Sequence, residues 1–269
     1  MPELPEVDAV VRRLREAAEK ARVESVVVER AGTVAPQGME EIGVVAGRRM
    51  ERVWRRAKYI LMEFSGGVYL RVHLRMTGNL YVLPDWRLRP VGARVWWRLS
   101  DGRVMIYEDP RALGRVHVVG WEEIEALDRE LGPEPLGEEF TVGVLREILR
   151  GVKAPVKPVL MDQRRVAGIG NIYASEALWW ARIHPGRPAG EVAAGKVKVL
   201  HGAIRKVLEH AVGSAYAEYT QPGKMAESES FGVEVYGREG ERCSRCGTGV
   251  ERMVQGGRST FYCRRCQAW

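Results

Sequence analysis

The hydrophobic pattern changes period twice along the chain. Val7, Val10, Val11, Leu14, Ala17, Ala18 and Ala21 recur at helical spacing, and Pro2 and Pro5 suit a first helical turn, where the missing N–H is not needed. These positions predict an N-terminal helix reaching about Ala21. From about residue 23 to 120 the period becomes two. Val68, Leu70, Val72 and Leu74 alternate with Tyr69, Arg71, His73 and Arg75, as in a half-buried strand. Similar short runs at 60–64, 95–99 and 104–107 are separated by Gly, Asp-Gly or Pro, which predicts an antiparallel β-sandwich. Leu131-Gly-Pro-Glu-Pro-Leu136 breaks both periods and reads as a hinge. Beyond it the pattern turns helical, with helices predicted at 142–149, 158–165, 173–182 and 196–212. The fold class is therefore α+β.

Composition narrows the class without naming it. The 269 residues are 45% hydrophobic and 29% charged, which excludes disorder and collagen-like repeats. Apolar runs such as Ala177-Leu178-Trp179-Trp180-Ala181 fall far short of the ~20 residues that span a bilayer, so no membrane partner is expected. The opening Met-Pro-Glu-Leu-Pro-Glu is acidic where a signal peptide would be basic, and the expected location is cytoplasmic. Forty-two Lys and Arg against thirty-five Asp and Glu give a net charge of +7. Residues 237–269 hold seven Arg against three Glu, more than half of that excess. A basic tail of this kind suits a polyanion, but charge alone equally describes a solvated surface.

The cysteines decide between those readings. All four lie in that tail, as Cys243-x-x-Cys246 and Cys263-x-x-Cys266, with sixteen residues between the pairs. Each pair places two thiolates in a tight knuckle, and two knuckles together make a tetrahedral sulfur cage for one Zn2+. Gly247 and Gly249 follow the first knuckle, and strand-forming Thr260, Phe261 and Tyr262 precede the second, as in a zinc ribbon. Four protein ligands leave no open position, so the metal is expected to be structural.

Two further features are weak by themselves. Glu3 and Glu6 stand three residues apart on one face of the predicted helix, where favourable interaction with the helix dipole explains both. Gly168-Ile-Gly170-Asn171 joins two predicted helices and would present backbone N–H groups at the next helix start, an arrangement suited to phosphate.

Taken together, Met1-Pro-Glu-Leu-Pro-Glu-Val7, Arg55-Arg-Ala-Lys-Tyr59, Leu131–Leu136, Gly168-Ile-Gly-Asn-Ile-Tyr-Ala-Ser-Glu176, Val235-Tyr-Gly-Arg238 and the Cys243–Cys266 ribbon resemble the formamidopyrimidine glycosylase/endonuclease VIII family of base-excision repair. The likeness runs over essentially the whole chain, and the opening is closest to the formamidopyrimidine branch. It implies three parts: an N-terminal catalytic domain of helix and β-sandwich at 1–130, a helix-two-turn-helix DNA-binding domain at 131–236, and a zinc-ribbon finger at 237–269. The implied partner is damaged double-stranded DNA, bound by a monomer associated with the nucleoid.

The resemblance also assigns roles. With Met1 removed, Pro2 would attack the sugar C1′ as a free secondary amine and form an iminium, and elimination of the strand phosphates would follow. Glu3 would serve as general acid/base, with Glu6 supporting the same pocket. Lys58 would grip the phosphates flanking the lesion, and Arg258 in the ribbon's turn would clamp those beside the scissile sugar. Asn171 matches the helix-two-turn-helix phosphate site, and Lys157 and Tyr236 match positions near phosphate or lesion. Met76 matches the wedge that fills the space of an extruded base, with Arg111 and Leu113 beside it. The implied activity is that of a DNA glycosylase and abasic-site lyase acting on 8-oxoguanine and formamidopyrimidines by β/δ-elimination.

Departures from the family pattern bear on the lesion. Ala112 and Leu113 replace an Arg and a Phe, Arg75 stands where Gly is usual, and Gly92 where His is usual. The segment between Gly213 and Val235, where the family carries its lesion-capping loop, has an unusual, locally acidic content. A shifted lesion spectrum (oxidised pyrimidines, alkylated or crosslinked bases) is one alternative. A zinc-ribbon protein that binds damaged DNA without chemistry is another.

Overall fold

The computed structural model describes residues 2–218 and 232–269. The order of elements is helix α1 (Leu4–Ala18), strand β1 (Val23–Val28), short helices α2 (Ala31–Val34) and α3 (Met39–Gly43), and strands β2 (Met50–Arg56), β3 (Tyr59–Phe64), β4 (Val68–His73), β5 (Asn79–Leu83), β6 (Ala93–Leu99), β7 (Val104–Glu108) and β8 (Arg115–Val119). Helices α4 (Trp121–Glu130), α5 (Val142–Leu149), α6 (Val156–Met161), α7 (Asn171–Ala181) and α8 (Ala194–Glu218) follow, and the hairpin β9 (Glu251–Gln255) and β10 (Arg258–Tyr262) closes the chain. No helix among the described residues is long and apolar enough to cross a membrane.

The chain divides into two compact units. The first runs to Arg129 and regains the chain at Ala215, near the end of α8. It contains two four-stranded antiparallel sheets, ordered β1-β6-β7-β5 and β2-β3-β4-β8. Inward residues of both sheets, including Val53, Ile60, Leu70, Val72, Val95, Trp97 and Ile106, share one core with Val7, Val10, Val11 and Leu14 of α1. The alternation predicted for β4 is realised, with Leu70 and Val72 buried between half-buried neighbours.

Helix α1 stops at Ala18, short of the predicted Ala21. Lys20 adopts φ +74° and its N–H donates to Met50 O, after which Ala21 O accepts from Met50 N. Backbone pairing with the start of β2 therefore takes over where apolar periodicity would have continued the helix. Helix α8 errs in the other direction, running past the predicted residue 212 to Glu218. Its added turn is held because Ala215 and Tyr216 pack on the core of the first unit.

The second unit holds 130–214 and the C-terminal residues from 232 on. Helix α6 begins and ends earlier than the predicted 158–165. Pro158 occupies its third position, still within the turn whose N–H groups lack helical acceptors, and extended Asp162 ends it. The segment expected to act as a hinge is stitched down: Gly132 N donates to Gln163 O, and Ala167 N to Pro133 O. A side chain at Gly132 would meet the Arg165 carbonyl carbon at 2.5 Å, so only glycine permits this approach.

Candidate functional site

The candidate residues fall into two groups, one in each unit. In the first unit, Glu3 is the N-cap of α1, Pro5 lies in the first turn, and Pro2 precedes the cap. Pro2 therefore stands outside the helical turn in which the sequence pattern placed it. Pro2 is buried, as are Glu3 (1% exposed) and Glu6 (5% exposed). Glu6 reaches back to the helix start, its Oε2 accepting from Glu3 N at 2.8 Å. Two buried carboxylates thus sit around the positive end of a helix dipole, where negative charge is favoured.

Lys58 lies in the two-residue turn between β2 and β3, whose ends pair as Arg56 with Tyr59. It is 8% exposed, so it is not a solvated surface lysine. Its neighbours are spent on internal ion pairs: Arg55 faces Asp8 at 3.5 Å, and Arg56 faces Asp128 at 2.5 Å.

Met76 projects from the turn joining β4 to β5, 45% exposed, and Leu113 from the turn joining β7 to β8, 42% exposed. Arg111 stands beside Met76, its Nη1 3.7 Å from the Met76 Sδ. Asp109, fully buried, ties the two turns together. Its Oδ1 accepts from Thr77 Oγ1 at 2.5 Å, and its Oδ2 from Gly114 N at 2.7 Å and from the Tyr107 hydroxyl at 3.5 Å. Arg94 braces the same segment, donating to the carbonyls of Asp109 and Pro110. A side chain at Gly114 would strike the Tyr107 hydroxyl, and one at Gly78 the Leu74 carbonyl oxygen, so both turns close only with glycine there.

His73 belongs to this group although sequence reasoning passed over it. Its Nδ1 accepts from Arg75 N at 3.0 Å, and its ring meets the Tyr59 ring edge-on at 4.8 Å. Burial, followed by the charges of Arg75 and Lys58, pushes its pKa down to about 4. At neutral pH the ring is uncharged with its proton on Nε2. In the β4 alternation His73 looks like an ordinary outward residue, and only its proximity to the Lys58 turn marks it.

The backbone around these residues is unusual. Of the five non-glycine residues with positive φ among the described residues, Ala57, Arg75 and Ala112 directly adjoin Lys58, Met76 and Arg111. Such strain persists where surrounding structure enforces it, and it concentrates at functional sites.

In the second unit, Lys157 is 1% exposed, not a surface contact. Its ammonium donates to Asn171 Oδ1 at 2.6 Å, Thr260 Oγ1 at 2.8 Å and Ser259 O at 3.3 Å. Asn171 in turn donates from Nδ2 to Ser259 O at 3.0 Å. The two side chains expected on phosphate thus fasten the starts of α6 and α7 to β10. Arg258 is the exposed first residue of β10, just past a turn formed by Gly256 and Gly257, both with positive φ. Tyr236 packs edge-on against Phe261 at 5.3 Å. Its N–H, with those of Glu234 and Val235, donates to the buried carboxylate of Glu176. Burial, only partly offset by these bonds, holds the Glu176 carboxyl above the usual carboxylate range.

The four cysteines converge. Their sulfurs lie within 4.8 Å of one another, with Cys243–Cys266 at 3.9 Å and Cys246–Cys263 at 3.4 Å. Thiolates held tetrahedrally ~2.3 Å from zinc stand roughly 3.8 Å apart, so the cage fits that ion. Cys243 and Cys263 are buried with Trp179, Val235 and Val250 in a small core, which the ion would complete by closing the two knuckles.

The segment between Gly213 and Val235, read as the capping loop, falls mainly on residues 219–231, outside the described residues.

Comparison with known proteins identifies the family. Residues 1–116 match the formamidopyrimidine-DNA glycosylase N-terminal domain, 131–220 the formamidopyrimidine-DNA glycosylase H2TH domain, and 240–268 a zinc finger found in FPG and IleRS. The chain is 42% identical over 271 residues to the formamidopyrimidine-DNA glycosylase of Chloroflexus aggregans, covering 99% of this chain and 98% of that one. It is 36% identical to the Ligilactobacillus salivarius protein of the same name, covering 99% of each. The Lactococcus lactis protein of this family, solved in complex with DNA containing an abasic site, superposes with a TM-score of 0.91 at 30% identity, covering 99% of this chain and 100% of that one. A second structure of that protein, with DNA containing an oxidised pyrimidine, gives 0.91 at 31% identity with both chains fully covered. The N-terminal helix and antiparallel sheets, the helical region and the zinc finger were all expected from sequence, and the chain belongs to the formamidopyrimidine-DNA glycosylase family.

Proposed function

We propose that this enzyme excises damaged bases from duplex DNA and then cleaves the strand at the abasic site, using Pro2 as nucleophile. The observation that carries the reading is the start of α1: buried Pro2 precedes two buried carboxylates, and Glu6 holds the backbone of Glu3. After removal of Met1, the Pro2 amine forms a bond to C1′ while the bond from C1′ to the base breaks. Glu3 delivers a proton to the sugar oxygen or the departing base. The ring opens to an iminium, which draws electrons from the C2′–H bond, and loss of that proton expels the 3′ phosphate. A second elimination expels the 5′ phosphate, and water releases the enzyme. The positive end of the helix dipole disfavours the ammonium form of Pro2, which keeps the nucleophilic amine available.

The remaining roles divide between the units. Met76, Arg111 and Leu113 replace the extruded base in the stack. Lys58 and Arg258 bind phosphate, the latter with planar donors suited to two oxygens. Asn171, Tyr236 and Lys157 support the helix-two-turn-helix side, Lys157 by holding Asn171 and β10. The parts 1–130, 131–236 and 237–269 would act as catalytic, DNA-binding and finger domains. Substrates include 8-oxoguanine and formamidopyrimidines, and relatives solved with an oxidised pyrimidine favour a broader range.

Borohydride reduction tests the chemistry. Wild type should be trapped covalently on abasic DNA, and Pro2→Gly or an N-terminal extension should abolish most trapping. Undiminished adduct in both variants refutes Pro2 as nucleophile. Strand cleavage across duplexes carrying single defined lesions then ranks the substrates.

A further inference from the structure

Arg75 is held where an arginine serves the fold poorly. Its φ of +58° is a glycine-like conformation, in which a Cβ crowds the backbone. Its charge also bears on His73, whose Nδ1 accepts the Arg75 N–H. Against these costs the side chain gains no internal partner. It is exposed, and among the described residues its guanidinium makes no ion pair or hydrogen bond. The arginines around it are spent internally: Arg94 on the Asp109 and Pro110 carbonyls, Arg115 on those of Leu113 and Gly114, and Arg55 and Arg56 on carboxylates.

Position supplies the use. Arg75 immediately precedes exposed Met76, whose sulfur already has Arg111 beside it. A strained turn thus presents an uncompensated cation next to the wedge. Left-handed strain without a stabilising contact points to a ligand outside the chain. A planar guanidinium free of carboxylates suits a phosphate diester.

We propose that Arg75 is a DNA-binding residue that takes one backbone phosphate beside the Met76 wedge. This rests on the DNA-glycosylase reading above and adds a contact to it. A contact to one phosphate contributes about 0.9 to the slope of log affinity against log salt concentration.

The test is equilibrium binding to a duplex containing a tetrahydrofuran abasic-site analogue, measured between 50 and 200 mM salt for wild type, Arg75→Gly, Arg75→Gln and Arg75→Lys. Arg75→Gly and Arg75→Gln should each lower the slope by about 0.9, so the wild-type advantage shrinks roughly threefold across that range. Arg75→Lys should retain the slope, and Arg75→Gly should melt no lower than wild type because its turn is relaxed. Unchanged slopes in both neutral variants overturn the proposal. So does a loss that depends on the opposite base while the slope holds, since that marks a base contact. Borohydride trapping of wild type on abasic DNA separates the two readings. Trapping with unaltered slopes defeats the Arg75 contact alone, whereas failure to trap or bind defeats the glycosylase reading beneath it.

Discussion

The Thr77 hydroxyl donates to Oδ1 of Asp109 at 2.5 Å, across the gap between two turns that are remote in sequence. The other carboxylate oxygen holds Gly114 N, so one buried side chain fixes both the turn bearing Met76 and the turn bearing Arg111 and Leu113. The turns bearing Met76, Arg111 and Leu113 are therefore tied together from beneath.

Asp109→Ala should leave the Thr77 hydroxyl, the Gly114 amide and the Tyr107 hydroxyl without this acceptor. Losing a charged acceptor from buried donors costs about 2–4 kcal/mol, measurable by urea denaturation. If Met76, Arg111 and Leu113 replace the extruded base as proposed, excision of a base from intact duplex should fall more than trapping on a preformed abasic site. Equal losses in both assays would show that Asp109 serves folding alone.

His73 gives the free protein a defined pH response. Its folded pKa of about 4 lies below the ordinary value of 6.5, so the unfolded chain binds the proton more readily. Stability from this group is complete above pH 6.5 and declines as pH falls toward about 4. The loss is about 3 kcal/mol. His73→Gln should flatten that segment of the stability profile, and a profile unchanged by the substitution would contradict the assignment.

Lys157→Met replaces a buried ammonium by an apolar chain of similar length and strands the acceptors on Asn171, Ser259 and Thr260. Breaking such a buried network costs about 2–4 kcal/mol. Amide exchange should accelerate in β10 and at the start of α7, with α1 and the two large sheets unaffected. Uniform acceleration throughout the protein would argue for a general loss of stability.

Chelation of zinc, or Cys266→Ser, should remove the cross-link between the knuckles. The small core of Trp179, Val235, Cys243, Val250 and Cys263 would then loosen. Tryptophan fluorescence should change while the circular dichroism of the β-rich first unit persists. A metal-free protein with native fluorescence and undiminished DNA affinity would contradict the structural role.

Glu176→Gln retains the size of the side chain but gives the amides of Glu234, Val235 and Tyr236 a weaker acceptor. The cost in neutral solution should be small, about 1 kcal/mol, because the buried carboxylate is itself penalised. Thermal melting at pH 7 and pH 5 measures it, and the gap between variant and wild type should widen at the lower pH. The folded state, whose carboxyl is raised, takes up the proton before the unfolded chain does and is stabilised by it. A gap that narrows on acidification would reverse the assigned direction.

Local chemistry was legible where it depends on neighbours in sequence. Alternation placed β4 and its buried Leu70 and Val72, helical spacing placed α1, and paired Cys-x-x-Cys knuckles specified a metal cage. The ends of α1 and α8 were not legible, because pairing of Ala21 with Met50 and packing of Tyr216 on the first unit's core depend on distant residues. Nor could the sequence distinguish Lys58 from Lys157. Both are buried lysines, but Lys58 lies in a tight turn, whereas three acceptors from two other segments consume the ammonium of Lys157. Spacing alone therefore determined which elements form and which side chains carry sulfur, charge or an imino nitrogen. Tertiary structure decided which of those groups are already engaged: burial strips away water, and a polar group without water must take whatever partner the fold brings within reach.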